Sequence, residues 1–186
     1  KLTNAYGRTT VLRPDNTMPI ARLVATRLGK EDFPVRLYYN QNIFVRNKAY
    51  AGRTDEIPQS GIELIGDGSA QADLEVLTMA VEALRRSKLN SFSFEIGHAG
   101  FFRAILEDMD IEQSVKSEIC SLTESKNYAA LSDLLDSIGD TVQTKVLHRL
   151  PRLFGGEEVL EKAKKLYSGE KSDAALDYLG NIYEKL

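Results

Sequence analysis

Polar and apolar positions follow two rhythms along the first hundred residues. "TTVLR" (9–13) is β-branched and apolar, and "KLTNAYGRTTVLR" as a whole predicts a strand, a turn near Gly7 and a second strand. "TMPIARLVATRLG" predicts a helix, since Ile20, Leu23, Val24 and Leu28 recur at three- and four-residue spacing. Thr17 is its expected cap, Pro19 falls in its first turn and Gly29 is its expected stop. "PVRLYYN" (34–40) and "NIFVRN" (42–47) predict either two strands or one long strand with a bulge. "QSGIELIG" (59–66) predicts the next strand, ended by "GDG".

A helix is expected from Ser69 to about Arg86. Leu74, Leu77, Val81 and Leu84 line one face, and Asp73 and Glu75 favour its positive N-terminal end. "SFSFEIG" (91–97) alternates as a strand does, and "AGFFRAILEDM" opens another helix. After about residue 108 the strand signals stop. "NYAALSDLLDSI", "TVQTKVLHRL", "EEVLEKAKKLY" and "DAALDYLGNIYEKL" are amphipathic helices with short turns between them. The expected fold class is α+β, a mainly antiparallel sheet with flanking helices over 1–108, followed by an all-helical region over 109–186.

Composition narrows the function classes. The chain has 186 residues, 42% hydrophobic and 27% charged, ordinary for a globular protein. No apolar run approaches the roughly 20 residues a membrane span needs, so no membrane partner is expected. Residues 1–60 carry ten Lys/Arg against five Asp/Glu, and residues 61–186 carry fourteen against twenty-two. The basic first third can attract phosphates or another acidic ligand, whereas the acidic remainder argues against a broad nucleic-acid surface. Solvated charge is the plainer reading of both.

Cys120 is the single cysteine, so neither an internal disulfide nor a cysteine metal cluster is expected. It is expected as a small buried residue on a helix, in a reducing, cytoplasmic setting. With two histidines, His98 and His148, no metal site is expected, and both are expected to be hydrogen-bonded structural residues. "GGEE" (155–158) lacks the lysine and spacing of a phosphate-binding loop.

One constellation carries candidate chemistry. "LRPDNT" places Asp15 and Thr17 between a strand and a helix, and "PQSGIE" places Gln59 and Glu63 on one face of a strand. Polar groups on a sheet face need partners, because an unpaired one costs on the order of 1–3 kcal/mol. A small ligand with an ammonium group would satisfy Asp15, Gln59 and Glu63 together. A polar network closed by neighbours such as Arg13 would do so equally well.

"LRPDNTMPIARLVATRL", "FVRNKAYAGRTDEIPQSG" and "GIELIG" together resemble the class II synthetase core of the histidyl-tRNA synthetases. They resemble more closely its non-catalytic paralogue family, the regulatory subunits of ATP phosphoribosyltransferase. The likeness is specific across about residues 8–106. The tail is similar to the insertion that follows the "HAGFF" helix in such proteins.

The resemblance implies roles for individual residues. The synthetase strand carries F-R-x-E, with its arginine on the phosphate and its glutamate on the adenine. Phe44 keeps its place here, whereas Val45 and Asn47 stand where the arginine and glutamate belong. Arg46 is one residue off and on the opposite face. Asp15, Thr17 and Gln59 match positions that bind the histidine ammonium, Glu63 the imidazole, and Arg53 the carboxylate and phosphate. The sequence lacks "GGRYD"- and "YYTG"-type motifs, so a fragment truncated at both ends is expected.

The function so implied is that of a non-catalytic regulatory subunit in the first step of histidine biosynthesis. No catalytic residue and no cofactor are implied. The expected partners are a short-form catalytic subunit, a further copy of itself, and L-histidine as a feedback ligand. The alternative is a catalytic-core fragment of a divergent histidyl-tRNA synthetase.

Overall fold

A computed structural model describes residues 2–29, 32–47 and 52–186. The tip of the loop at 48–51, which the likeness to synthetases includes, lies outside the described residues. So do Lys1 of the first expected strand and residues 30–31 after the first helix.

The chain packs as two compact units, Lys1–Leu84 and Arg85–Leu186. In the first, β1 (Leu2–Thr3) pairs antiparallel with β2 (Thr9–Thr10). Gly7 makes the turn in the left-handed region at φ 74°, where a Cβ would be strained. The ladder is shorter than the expected 9–13 strand, and Val11 and Leu12 lie exposed beyond it.

The second ribbon joins β3 (Val35–Phe44) to β4 (Glu56–Ile65), antiparallel in one-to-one register from Val35↔Ile65 to Phe44↔Glu56. Of the two readings of residues 34–47, the single long strand is the observed one, and its register needs no bulge. Side chains alternate between its faces. Leu37, Tyr39, Gln41 and Ile43 share one face with Ile57, Gln59, Gly61 and Glu63.

Helix α1 (Thr17–Leu23) continues directly into a π-helical turn, Val24–Leu28. Thr17 is not its cap. Asn16 holds the N-cap position, and Asp15 Oδ1 accepts from the Met18 N–H at 2.9 Å. Helix α2 (Ala70–Arg86) starts where Ser69 Oγ accepts from Ala72 N at 3.2 Å and Asp67 Oδ1 accepts from Ser69 N at 2.9 Å. The Ser69 N–H, and after it the Ser69 hydroxyl, hold the Asp67 carboxyl below the usual carboxylate range. A bidentate pair ties α2 to β3: Arg36 Nε donates to Glu75 Oε1 at 2.5 Å and Nη2 to Oε2 at 2.8 Å. It pulls the Glu75 carboxyl down and the Arg36 guanidinium up.

The second unit is helical: α3 (Ala99–Glu107), α4 (Gln113–Glu124), α5 (Tyr128–Ile138), α6 (Val142–Arg149), α7 (Glu158–Leu166) and α8 (Glu170–Lys185). One core runs through it, built on Ile105, Ile119, Leu131, Leu135, Val146 and Leu147. Phe101 meets Tyr167 edge-on, with ring centroids 6.4 Å apart. The Tyr167 hydroxyl donates to Asp108 Oδ2, and burial together with that bond pushes the phenol up to about 12.

Two further sequence expectations need correction. Residues 91–97 form no strand, because among the described residues no neighbour supplies a ladder for their N–H and C=O groups. Cys120 is half-buried rather than buried. The inward line of α4 runs through Ile119, which is 0% exposed, and one residue on is about 100° round the helix.

The packing boundary falls at Leu84/Arg85, near the end of α2. Helix α3 packs against α8 and α6.

Candidate functional site

The site is built where the start of α1 crosses one face of the β3–β4 ribbon. Gln59 and Glu63 sit two alternations apart on β4, so both project from that face. Asn16 Nδ2 donates to Gln59 Oε1 at 2.9 Å, and Thr17 Oγ1 donates to Glu63 Oε1 at 2.7 Å. Asn16 is 3% exposed, the most buried polar side chain of this unit.

Of the five residues expected to bind a ligand, the structure brings four together. Thr17, Gln59 and Glu63 lie in the cluster itself. Asp15 adjoins it with its Oδ1 engaged as the cap of α1. Arg53 lies exposed in the loop before β4 and, among the described residues, makes no hydrogen bond to the cluster.

The network does not close through Arg13. That guanidinium donates from Nε to the Asn42 carbonyl at 2.8 Å and from Nη1 to Gln41 Oε1, next along the same ribbon. Asn16 is the residue that sequence reasoning missed. In "PDNT" three consecutive capping-type side chains compete for one helix start, and the sequence does not say which of them is released. With Asp15 taking the cap, the Asn16 amide is released toward the sheet.

The positions that the likeness to synthetases assigns to the nucleotide differ. Val45 continues the pairing, its N–H donating to the Asp55 carbonyl at 2.8 Å. By alternation its isopropyl group is on the ribbon face that carries Gln59 and Glu63, and Arg46 is on the other and exposed. Asn47 is held as a loop brace: its Nδ2 donates to the Thr54 carbonyl at 2.7 Å and its N–H to Asp55 Oδ1 at 3.1 Å. Neither residue offers the fixed cation that phosphoryl chemistry needs at the developing charge.

Elsewhere the candidate groups are structural. His98 is the N-cap of α3, with Nδ1 accepting from Gly100 N at 3.0 Å and its ring 5.4 Å from that of Tyr178. His148 lies between Asp136 Oδ1, 3.1 Å from Nε2, and Ser132 Oγ, 3.5 Å from Nδ1. This has the composition of a hydrolytic triad. Ser132 is mid-helix, however, so the neighbouring N–H groups serve α5 and none is left to hold an oxyanion. The contact fastens α6 to α5. Among the described residues, no group of three or more His, Cys, Asp or Glu could hold a metal ion, and no helix is long and apolar enough to cross a membrane.

Comparison with known proteins gives this geometry a context. The ATP phosphoribosyltransferase regulatory subunit of Clostridium acetobutylicum is 40% identical, with 99% of this chain and 46% of the relative covered. A crystal structure described as an ATP phosphoribosyltransferase regulatory subunit/histidyl-tRNA synthetase, from Bacillus halodurans, superposes with a TM-score of 0.88. It is 37% identical over 99% of this chain and 48% of its own. The ATP phosphoribosyl transferase complex of Thermotoga maritima shares the fold, with a TM-score of 0.63 at 19% identity, covering 100% of this chain and 66% of that one.

The chain thus spans about half the length of the curated relatives it matches. The family model described as histidyl-tRNA synthetase matches residues 1–186 throughout. The α+β fold is the class II synthetase-like one expected from the motifs, and the chain belongs to the histidyl-tRNA synthetase family.

Proposed function

We propose that this chain is the core portion of a non-catalytic regulatory subunit of a heteromeric ATP phosphoribosyltransferase, acting in the first step of histidine biosynthesis. The observation that carries the reading is the contrast within one ribbon. The amino-acid side keeps Asp15, Thr17, Gln59 and Glu63 grouped, while the nucleotide side has Val45 for a cation and Asn47 spent on bracing its loop. The names of relatives near 40% identity support the same assignment.

The subunit assembles with a short-form catalytic phosphoribosyltransferase and with further copies of itself, in the cytoplasm. L-Histidine is its feedback ligand, held at the ammonium by Asp15, Thr17 and Gln59, at the imidazole by Glu63 and at the carboxylate by Arg53. Feedback follows if histidine binds one assembly state better than another, since a ligand shifts an equilibrium only by its differential affinity. In this reading residues 1–108 belong to the synthetase-like core and 109–186 to a helical insertion.

The test uses the protein at its full natural length, mixed with a short-form catalytic subunit, and follows phosphoribosyl-ATP formation with and without histidine. Activity that appears on mixing and falls with histidine is the expected result. No effect on a demonstrably competent catalytic subunit would sink the proposal. ATP–pyrophosphate exchange by the protein alone would assign a synthetase instead.

A further inference from the structure

We propose that Tyr39 is the resident occupant of the amino-acid site. Its phenol fills the space over Gly61 that a ligand held between Gln59 and Glu63 must take. The inference rests on the reading that this face binds L-histidine.

Gly61 sits between Gln59 and Glu63 on the site face of β4 and is the register partner of Tyr39 on β3. A Cβ at position 61 would collide with Tyr39 Oη and Cζ and would meet Cε1 at 2.9 Å. The tip of the ring therefore rests on bare backbone, midway between the two polar side chains. A Cβ at this position would force the ring to shift, whereas the torsion angles of Gly61 make no demand for glycine.

The neighbours complete the closure. Asn16 engages the Gln59 carbonyl oxygen and Thr17 engages the Glu63 carboxylate. The polar side chains of the site are thus satisfied by one another, with an aromatic ring in the middle and a protein donor on each flank. A ligand must exchange bonds with these donors, and the ring must turn away to admit it. The vacated space is that of a planar ring, which suits an imidazole.

A binding-competent state that is a minor population weakens apparent affinity by its own fraction. With the open state at about a tenth or less, removal of the ring tightens binding by at least about tenfold.

The experiment is calorimetry with L-histidine on the full-length protein, comparing wild type, Tyr39→Ala and Glu63→Gln. Tyr39→Ala is expected to bind at least about tenfold more tightly than wild type, and Glu63→Gln to lose binding. Equal or weaker binding by folded Tyr39→Ala, with Glu63→Gln still defective, overturns the role of Tyr39 and leaves the histidine site standing. Absence of binding by wild type and by Tyr39→Ala, alone and with the catalytic subunit, removes the histidine site itself and this proposal with it.

A second measurement covers a Tyr39→Ala chain that does not fold. In ring-labelled wild-type protein, the Tyr39 resonance, assigned through Tyr39→Phe, is expected to shift on saturation with histidine. A resonance that stays put while histidine is bound overturns the proposal.

Discussion

Thr17 Oγ1 donates to Glu63 Oε1 across 2.7 Å, joining the first residue of α1 to the last third of β4. The bond makes that carboxylate an anchor for the helix start, beside the histidine contact proposed for it. Glu63→Gln separates them. The amide oxygen still accepts from Thr17, so stability falls by less than about 1 kcal/mol, while the response of the assembled enzyme to histidine is lost. A lowered melting temperature with the histidine response intact would make Glu63 an anchor alone.

The converse substitution is Thr17→Val. It removes the donor and leaves the carboxylate, and the expected cost is about 0.5–1.5 kcal/mol in a urea titration. A neutral outcome would mean that the α1–β4 junction is held by Asn16 and Gln59 without it.

Glu75 makes stability depend on acid. Its carboxyl is pulled down by the bidentate bond from Arg36, so its contribution is complete above the ordinary value of 4.5 and is lost as pH falls through its lower folded value. The difference in stability between wild type and Glu75→Gln should therefore be constant at neutral pH and shrink below about pH 4.5. Added salt should shrink it too, since the pair is partly exposed. A difference that is flat from pH 7 to 3 would remove the pair from the energetics of α2.

Tyr167 acts at the other end of the scale. Its phenol is raised from 10.0 to about 12, so the neutral form is the stabilised one and its contribution is fully present below pH 10. Tyr167→Phe should cost about 0.5–1.5 kcal/mol at pH 8. That gap should close as pH rises from 10 to about 12. A gap independent of pH would mean that the hydroxyl contributes through packing and not through its proton.

The helical core gives the largest expected change. Leu135 is fully buried among Leu131, Val146 and Leu147. Leu135→Ala should cost about 2–5 kcal/mol, the transfer term plus the cavity left behind, measured by thermal or urea unfolding. A cost under about 1 kcal/mol would mean that the cluster collapses around the gap.

Much of the fold was legible in the chain because its helices carry their own pattern. Leu131 and Leu135, or Phe101 and Ile105, declare an inward face whatever surrounds them. Strands do not carry their partners with them. Residues 91–97 alternate correctly and remain unladdered, because pairing depends on residues far along the chain.

At the site, Gln59 and Glu63 were legible from their spacing of four on a strand. Asn16 was not, because which of Asp15, Asn16 and Thr17 takes the helix cap is decided only when the helix meets the sheet. Tyr39 was hidden for the same reason: its place over Gly61 is a property of register.

The pairing of Asn16 with Gln59 and Thr17 with Glu63 bears on how such a chain changes over evolutionary time. A pocket whose polar groups stand orphaned without their ligand puts the whole fold at risk when the ligand is given up. Here those groups are already hydrogen-bonded to one another. The scaffold is therefore free to drift away from one chemistry and be recruited into another assembly without first passing through an unstable ancestor.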